Sequence, residues 1–356
     1  MLFRPAILAL LLASAANVAM LLGVTPFAID VIRHWDITSG SQRQLTLERR
    51  TYLISVLLTS VLATQLLALL LFVFNADKMA PMFVGAMCAA GAFNVSTYGF
   101  PALIAQMAVF FVAAMWLAIN HVDIQAPDYP LVRIKYALLL GMAPALVATF
   151  ALELQYFLGL KADVLTSCCA RVFSGDAKGL SGDLAALPPL QSMIVFYGAL
   201  LLAVTAATYT AARRRGGYAV ALTSLMAFVT AIAGILSFLS LYVYEHPHHH
   251  CPFCVLKAEY GYQGYLLYIP LFLATACGLG VGAVQPFAAV TSLRDIVPLV
   301  SARLSGVAAG GFALVAAIAT FIVLHSNLIL IDHKWAHFTF AREALVMLST
   351  IPGGSL

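Results

Sequence analysis

Two cysteines separated by two residues close a histidine run in the segment EHPHHHCPFC, from Glu245 to Cys254, and two adjacent cysteines, Cys168 and Cys169, stand in TSCCA, from Thr166 to Ala170. Thiols are soft ligands and, as thiolates, strong nucleophiles. Paired thiols therefore exchange electrons as dithiol and disulfide, hold a soft metal, or clamp two segments of chain. If Val255 onward opens a helix, Cys251 and Cys254 sit at its N-terminus. There the unpaired backbone N–H groups, the helix dipole and a protonated His250 all favour the thiolate. Adjacent cysteines seldom bond to each other because the small ring they close is strained, so Cys168 and Cys169 are each freer to pair elsewhere, and the nearest candidates on that face are Cys251 and Cys254.

The first expectation is a thiol–disulfide relay in which Cys251 and Cys254 exchange electrons with Cys168 and Cys169, His250 promoting the thiolate and a quinone or a periplasmic thiol protein accepting the electrons. Cys-Pro-Phe-Cys resembles the active-site tetrapeptide of glutaredoxins. The arrangement of two pairs on one face is similar to quinone-coupled membrane thiol oxidoreductases of the disulfide-bond-forming and vitamin K epoxide reductase kinds, by analogy and without an alignable stretch. Tyr260, Tyr262 and Tyr265, interleaved with Gly261 and Gly264, suit either a quinone head-group site or an ordinary interfacial tyrosine belt. The second expectation is a soft-metal protein, in which His246, His248, His249 and His250 join Cys251 and Cys254 as nitrogen and sulfur ligands for copper or zinc, with a metal chaperone as partner. His325, His333 and His337 fall on the same face. A covalent c-type haem is disfavoured because Val255, not histidine, follows the Cys-x-x-Cys. The third is a non-catalytic scaffold with loops clamped by structural disulfides. The thiols alone do not require catalysis.

The elements that must position these residues are membrane helices. Of 356 residues 62% are hydrophobic and 10% charged, against roughly 45–50% and about 25% for a soluble domain. That much apolar surface is accommodated by lipid, and the scattered net charge of +4 gives no basic tract for nucleic acid. Apolar runs of spanning length lie at 5–27, 52–74, 101–120, 136–157, 191–211, 218–244, 265–290 and 305–326. A ninth candidate, Pro81–Phe100, is uncharged but rich in small and polar residues. It reads slightly better as a tightly packed spanning helix than as a re-entrant segment. The fold class is thus all-α, a polytopic membrane bundle of about eight or nine helices, one domain over 1–326 with no repeat or separate soluble unit. The tail, 327–356, reads as an amphipathic helix on the non-cytoplasmic surface. The first apolar run is long enough to be an uncleaved helix and not only a secretory signal.

Arg213–Arg215, Arg133 with Lys135, and Arg294 with Arg303 mark three connections as cytoplasmic by the positive-inside rule. The cysteine-bearing connections, about 158–190 and 245–264, then face outward, as in a bacterial inner membrane with its thiols toward the periplasm. The 28–51 connection is outside if Pro81–Phe100 spans and inside if it does not. Glu153 is an acid within a span, suited to relaying protons or ligating a cation, or else reaching the nearby interface. Gln65 and Gln106 read as interhelical hydrogen-bonders, Asn120 as a polar residue at a span end, and Cys88 and Cys277 as small packing residues.

Overall fold

The computed structural model describes residues 4–161, 166, 187–328 and 330. Among the described residues there are eight helices long and apolar enough to cross a membrane, and no strand. They are α1 (Pro5–His34), α2 (Gln42–Met79), the short α3 (Ala89–Asn94), α4 (Gly99–Asp123), α5 (Val132–Leu158), α6 (Pro189–Arg213), α7 (Gly217–Tyr244), α8 (Gln263–Val284) and α9 (Ile296–His325), of which all but α3 are spans. The chain is therefore an all-α polytopic bundle. Leu12, Leu67, Ile104, Ile194, Leu222 and Leu324 stay exposed on its flanks, which lipid, unlike water, accommodates without cost.

Apolar runs mark the stretch of helix inside lipid but not where a helix ends. α2 begins at Gln42, well before the apolar run from Tyr52, because the Ser41 hydroxyl accepts a hydrogen bond from Gln44 N at 3.3 Å and caps it. Arg43, Glu48, Arg49 and Arg50 thus ride on a helical extension beyond the apolar core.

The helices fall into two groups. In the first, α1 packs on α2 and α5, and α4 on α2 and α5; in the second, α8 packs on α7 and α9, and α6 on α7 and α9. α4 and α8 join the groups. Phe111 and Phe272 stack there with ring centroids 5.6 Å apart, and Phe228 of α7 stands edge-on to both at 4.9 and 5.0 Å. α7 and α8 approach on the small-residue face Gly278-x-x-x-Gly282: a Cβ at Gly278 would lie 2.0 Å from Ser224 Oγ, and one at Gly282 2.4 Å from the Ala221 side chain.

Pro81–Phe100 does not span, contrary to the slight preference drawn from sequence. It folds as a 3₁₀ turn at Ala80–Met82, an extended Cys88 and the six-residue α3. Three of its carbonyls are bonded from elsewhere in the protein: Thr166 N donates to Val84 O at 3.1 Å, Thr166 Oγ1 to Gly91 O at 3.0 Å and Tyr156 Oη to Ala92 O at 3.2 Å. With this segment not crossing, the 35–41 connection shares one end of the bundle with 124–131, 214–216 and 285–295, and Arg133 hydrogen-bonds the carbonyl of Trp35 there. The connections that follow α2, α5 and α7 leave from the opposite, cysteine-bearing end.

Lys135, read from sequence with Arg133 as a marker of a cytoplasmic connection, is fully buried. Its Nζ pairs with Asp123 Oδ2 at 2.7 Å and donates to Asn120 Oδ1 at 3.0 Å, and Asp123 Oδ1 accepts the N–H of Leu131 at 2.7 Å. A buried ammonium is tolerable only with its charge matched and its protons bonded. The expected surface helix beyond residue 330 lies outside the described residues.

Candidate functional site

Three thiols meet at the cysteine-bearing end. The Sγ atoms of Cys88, Cys251 and Cys254 all lie within 4.8 Å of one another, and all three residues are buried. Cys88 Sγ and Cys251 Sγ are 3.5 Å apart. Cys88 is therefore not simply a packing residue, as its apolar neighbours suggested: the re-entrant fold of 81–98 turns it into the site. Cys277 packs against the core of the second helix group, away from the cluster.

Backbone ties hold the Cys88 segment and the Cys251–Pro252 turn. Before Cys88, Asp77 near the end of α2 interacts with the backbone of Ala89, which opens α3. Gly91 is needed where the segment doubles back, since a Cβ there would stand 2.7 Å from Ala86 Cα and Cβ. Tyr244, at the end of α7, donates its hydroxyl to the carbonyl of Cys251, and Tyr268 of α8 donates to Pro252 O at 2.8 Å. These two tyrosines fix the Cys-Pro backbone from opposite sides in sequence; neither was singled out in the sequence, where Tyr260, Tyr262 and Tyr265 drew attention. Tyr260 packs on Tyr244 with ring centroids 4.6 Å apart and borders the thiols. Tyr262 and Tyr265 face each other at 6.2 Å. The apolar groove lined by Val112, Trp116, Ile134, Met142 and Phe287 is on the α4–α5 side near the arginine end.

The expected helix dipole at Cys254 is missing. Cys254–Leu256 and Ala258–Tyr260 are separate 3₁₀ turns, and α8 starts only at Gln263, after Gly261 and Tyr262 have taken left-handed φ of 62° and 56°. Gly264, in the first turn of α8, lets that helix sit against the thiol turn: a Cβ would be 2.7 Å from Val255 Cγ2 and 2.8 Å from Leu256 Cδ2.

The histidines serve differently from their sequence reading. α7 widens into a π turn over Ile235–Leu239, and His250 Nδ1 reaches Leu236 O at 2.9 Å. Such a turn redirects a carbonyl out of the regular ladder. A carbonyl only accepts, so Nδ1 carries the proton and Nε2 keeps its lone pair. Burial pushes the His250 pKa down, outweighing that hydrogen bond, which disfavours the charged ring that the sequence placed beside the thiols. His249 packs at a tilt against Tyr244 with ring centroids 4.3 Å apart, is likewise pushed down by burial, and its buried Nε2 has no hydrogen-bond partner among the described residues. His246 and His248 face each other at 6.1 Å in the more exposed part of the loop. Among the described residues the cluster of potential ligands is made of the three cysteines, without these histidines.

Cys168 and Cys169 lie outside the described residues. Thr166, two positions before Cys168, is tied to Val84 and Gly91 on either side of Cys88. Glu153, by contrast, is placed clearly: it is fully buried and does not reach the interface.

Neither family models nor comparisons with curated proteins and solved structures yield a match to this chain.

Proposed function

We propose that the protein captures a soft metal ion, copper(I) or zinc, at Cys88, Cys251 and Cys254 for delivery or transport. The observation that carries this reading is the mutual proximity of three buried sulfurs from two distant segments, all within 4.8 Å with one pair at 3.5 Å. An ion about 2.3 Å from each sulfur requires them to stand about 3.8–4.0 Å apart in tetrahedral or trigonal geometry, inside that range. Three thiolates with no oxygen ligand suit a soft cation and not magnesium or calcium. The arginines of the other end, Arg43, Arg49, Arg50, Arg133, Arg213–Arg215 and Arg294, favour a cytoplasmic setting for that end and an outward, periplasmic one for the thiols.

The test is metal counting. Full-length protein purified under reducing conditions, loaded with copper(I) or zinc and desalted, retains close to one equivalent by elemental mass spectrometry, and Cys251→Ser/Cys254→Ser loses it. Unchanged retention in that double variant removes the metal reading.

A second reading, dithiol exchange, is favoured by the 3.5 Å contact between Cys88 and Cys251 sulfurs. Closing a disulfide there releases two protons and two electrons, which a quinone or a partner disulfide must take up. It predicts that alkylation of these thiols changes when a quinone analogue is added. Thiols locked in one state under both conditions count against it.

A further inference from the structure

The first helix group contains a polar seam that is separate from the thiol site. Glu153 of α5 has no exposed surface. Its Oε2 accepts from Ser14 Oγ of α1 at 3.0 Å and from Gln106 Nε2 of α4 at 3.1 Å. Its Oε1 is buried with no hydrogen-bond partner among the described residues. From Gln106 the seam continues without a break: Gln65 Nε2 of α2 donates to Gln106 Oε1 at 3.1 Å, Asn17 Nδ2 of α1 to Gln65 Oε1 at 3.0 Å, and Thr64 Oγ1 of α2 to Asn17 Oδ1 at 3.1 Å.

Lys135 near the other end of α5 has Asp123 to balance it, whereas Glu153 forms no ion pair among the described residues. The charged groups on the helices packed against α5 are remote along the chain: Asp30, Arg33 and His34 of α1, and His121 and Asp123 of α4, all toward the arginine end. On α5 itself Arg133, Lys135 and Tyr136 lie near that same end, while Tyr156, one turn from Glu153, spends its hydroxyl on Ala92 O. α2, which supplies Gln65, keeps Arg43, Glu48, Arg49 and Arg50 at its start and Asp77 and Lys78 at its finish. The carboxyl is thus met by a hydroxyl and an amide, not by a counter-charge.

We propose that Glu153 is an intramembrane proton-exchange site, its carboxylate binding and releasing one proton against the Ser14–Gln106–Gln65–Asn17–Thr64 chain. An ionised carboxylate in apolar surroundings without a partner charge is costly, and taking up a proton removes that cost. The chain accommodates both states. With Glu153 ionised, the Ser14 hydroxyl and the Gln106 amide donate to it. With Glu153 protonated, its O–H donates to Ser14 Oγ, or to the Gln106 carbonyl after the amides turn over, since each has a donor and an acceptor side. Thr64 closes either arrangement because its hydroxyl has Val61 O as an alternative acceptor at 2.7 Å. A hard metal ion is disfavoured here, as it takes six or more oxygens and Gln106 presents an N–H.

The reagent that tests this is dicyclohexylcarbodiimide, an apolar compound that reacts with neutral carboxylic acids, applied to the full chain in lipid nanodiscs with adducts mapped by peptide mass spectrometry. The expected result is a Glu153 adduct at low pH that falls about tenfold per pH unit beyond the titration point and is indifferent to sodium. No adduct at any pH, an adduct level independent of pH, or loss of the adduct on adding sodium at fixed pH each overturns the proposal. Infrared difference spectra give a second readout: the protonated-carboxyl carbonyl band present at low pH and absent at high pH must vanish in Glu153→Gln, a near-isosteric change. A band that persists in the variant, or that never changes with pH, overturns it as well.

Discussion

Cys88 and Cys251, 163 residues apart in the chain, bring their sulfurs to 3.5 Å. One is carried by the re-entrant segment between α2 and α4, the other by the loop after α7. The contact makes Cys88 an equal member of the site. Cys88→Ser is therefore expected to abolish metal retention as fully as Cys251→Ser, while Cys277→Ser, remote from the cluster, leaves it intact. Elemental analysis of the three single variants decides the matter; a Cys88→Ser protein that keeps its metal would exclude that residue.

Two glycines set the spacing of the thiol segments. A methyl group at Gly91 collides with Ala86 within the Cys88 segment, and one at Gly264 collides with Val255 and Leu256 beside Cys254. Gly91→Ala and Gly264→Ala should each weaken metal affinity by roughly 10–100-fold, the usual scale for disturbing the support of a ligand set. Competition titration with a chelator measures this, and wild-type affinity in both variants would refute the positioning role.

Removing one partner of the buried Lys135–Asp123 pair strands the other charge. Lys135→Met should destabilise the protein by about 3–5 kcal/mol, and Lys135→Met/Asp123→Asn should recover part of that loss. Thermal unfolding in a mild detergent gives the comparison. If the double variant is no better than the single, the stranded charge is not the cause.

Glu245 accepts hydrogen bonds from Asn327 N at 2.8 Å and Asn327 Nδ2 at 2.9 Å, and the backbone bond, then the side-chain bond, holds its carboxyl below the ordinary 4.5. A carboxyl depressed on folding contributes its stabilisation above the ordinary value and loses it as pH falls through the folded value. Acidification should therefore release Asn327. Hydrogen exchange at its amide, corrected for intrinsic pH dependence, should accelerate in the acid range in the wild type but show no such step in Glu245→Gln. Equal profiles would remove this tie.

The apolar spans, the all-α membrane class and the gathering of arginines at alternate connections were legible in the sequence, because each depends on residues near one another in the chain: about twenty apolar residues cross a bilayer wherever they lie. The Cys251–Cys254 pair and Glu153 were likewise visible by type and spacing. Pro81–Phe100 was not, since a run of small and uncharged residues suits a spanning helix and a folded-back segment equally. What separated them was the backbone pairing with Thr166 and the crowding of Gly91 against Ala86, both contacts that the sequence does not print.

Tertiary structure alone decided which thiols meet and which polar groups bond. Cys88 joined Cys251 and Cys254 although its own neighbours are alanines and a methionine. His250 turned to Leu236 O because a π turn presented that carbonyl, while burial, not that bond, disfavours the charged role that adjacency to Cys251 suggested. Ser14 and Glu153, 139 residues apart, are hydrogen-bonded at 3.0 Å because α1 lies against α5. Composition and periodicity fix what each segment is soluble in, since solvation is a local property of the chain; proximity of reactive atoms follows from how the helices pack, which is a property of all of them together.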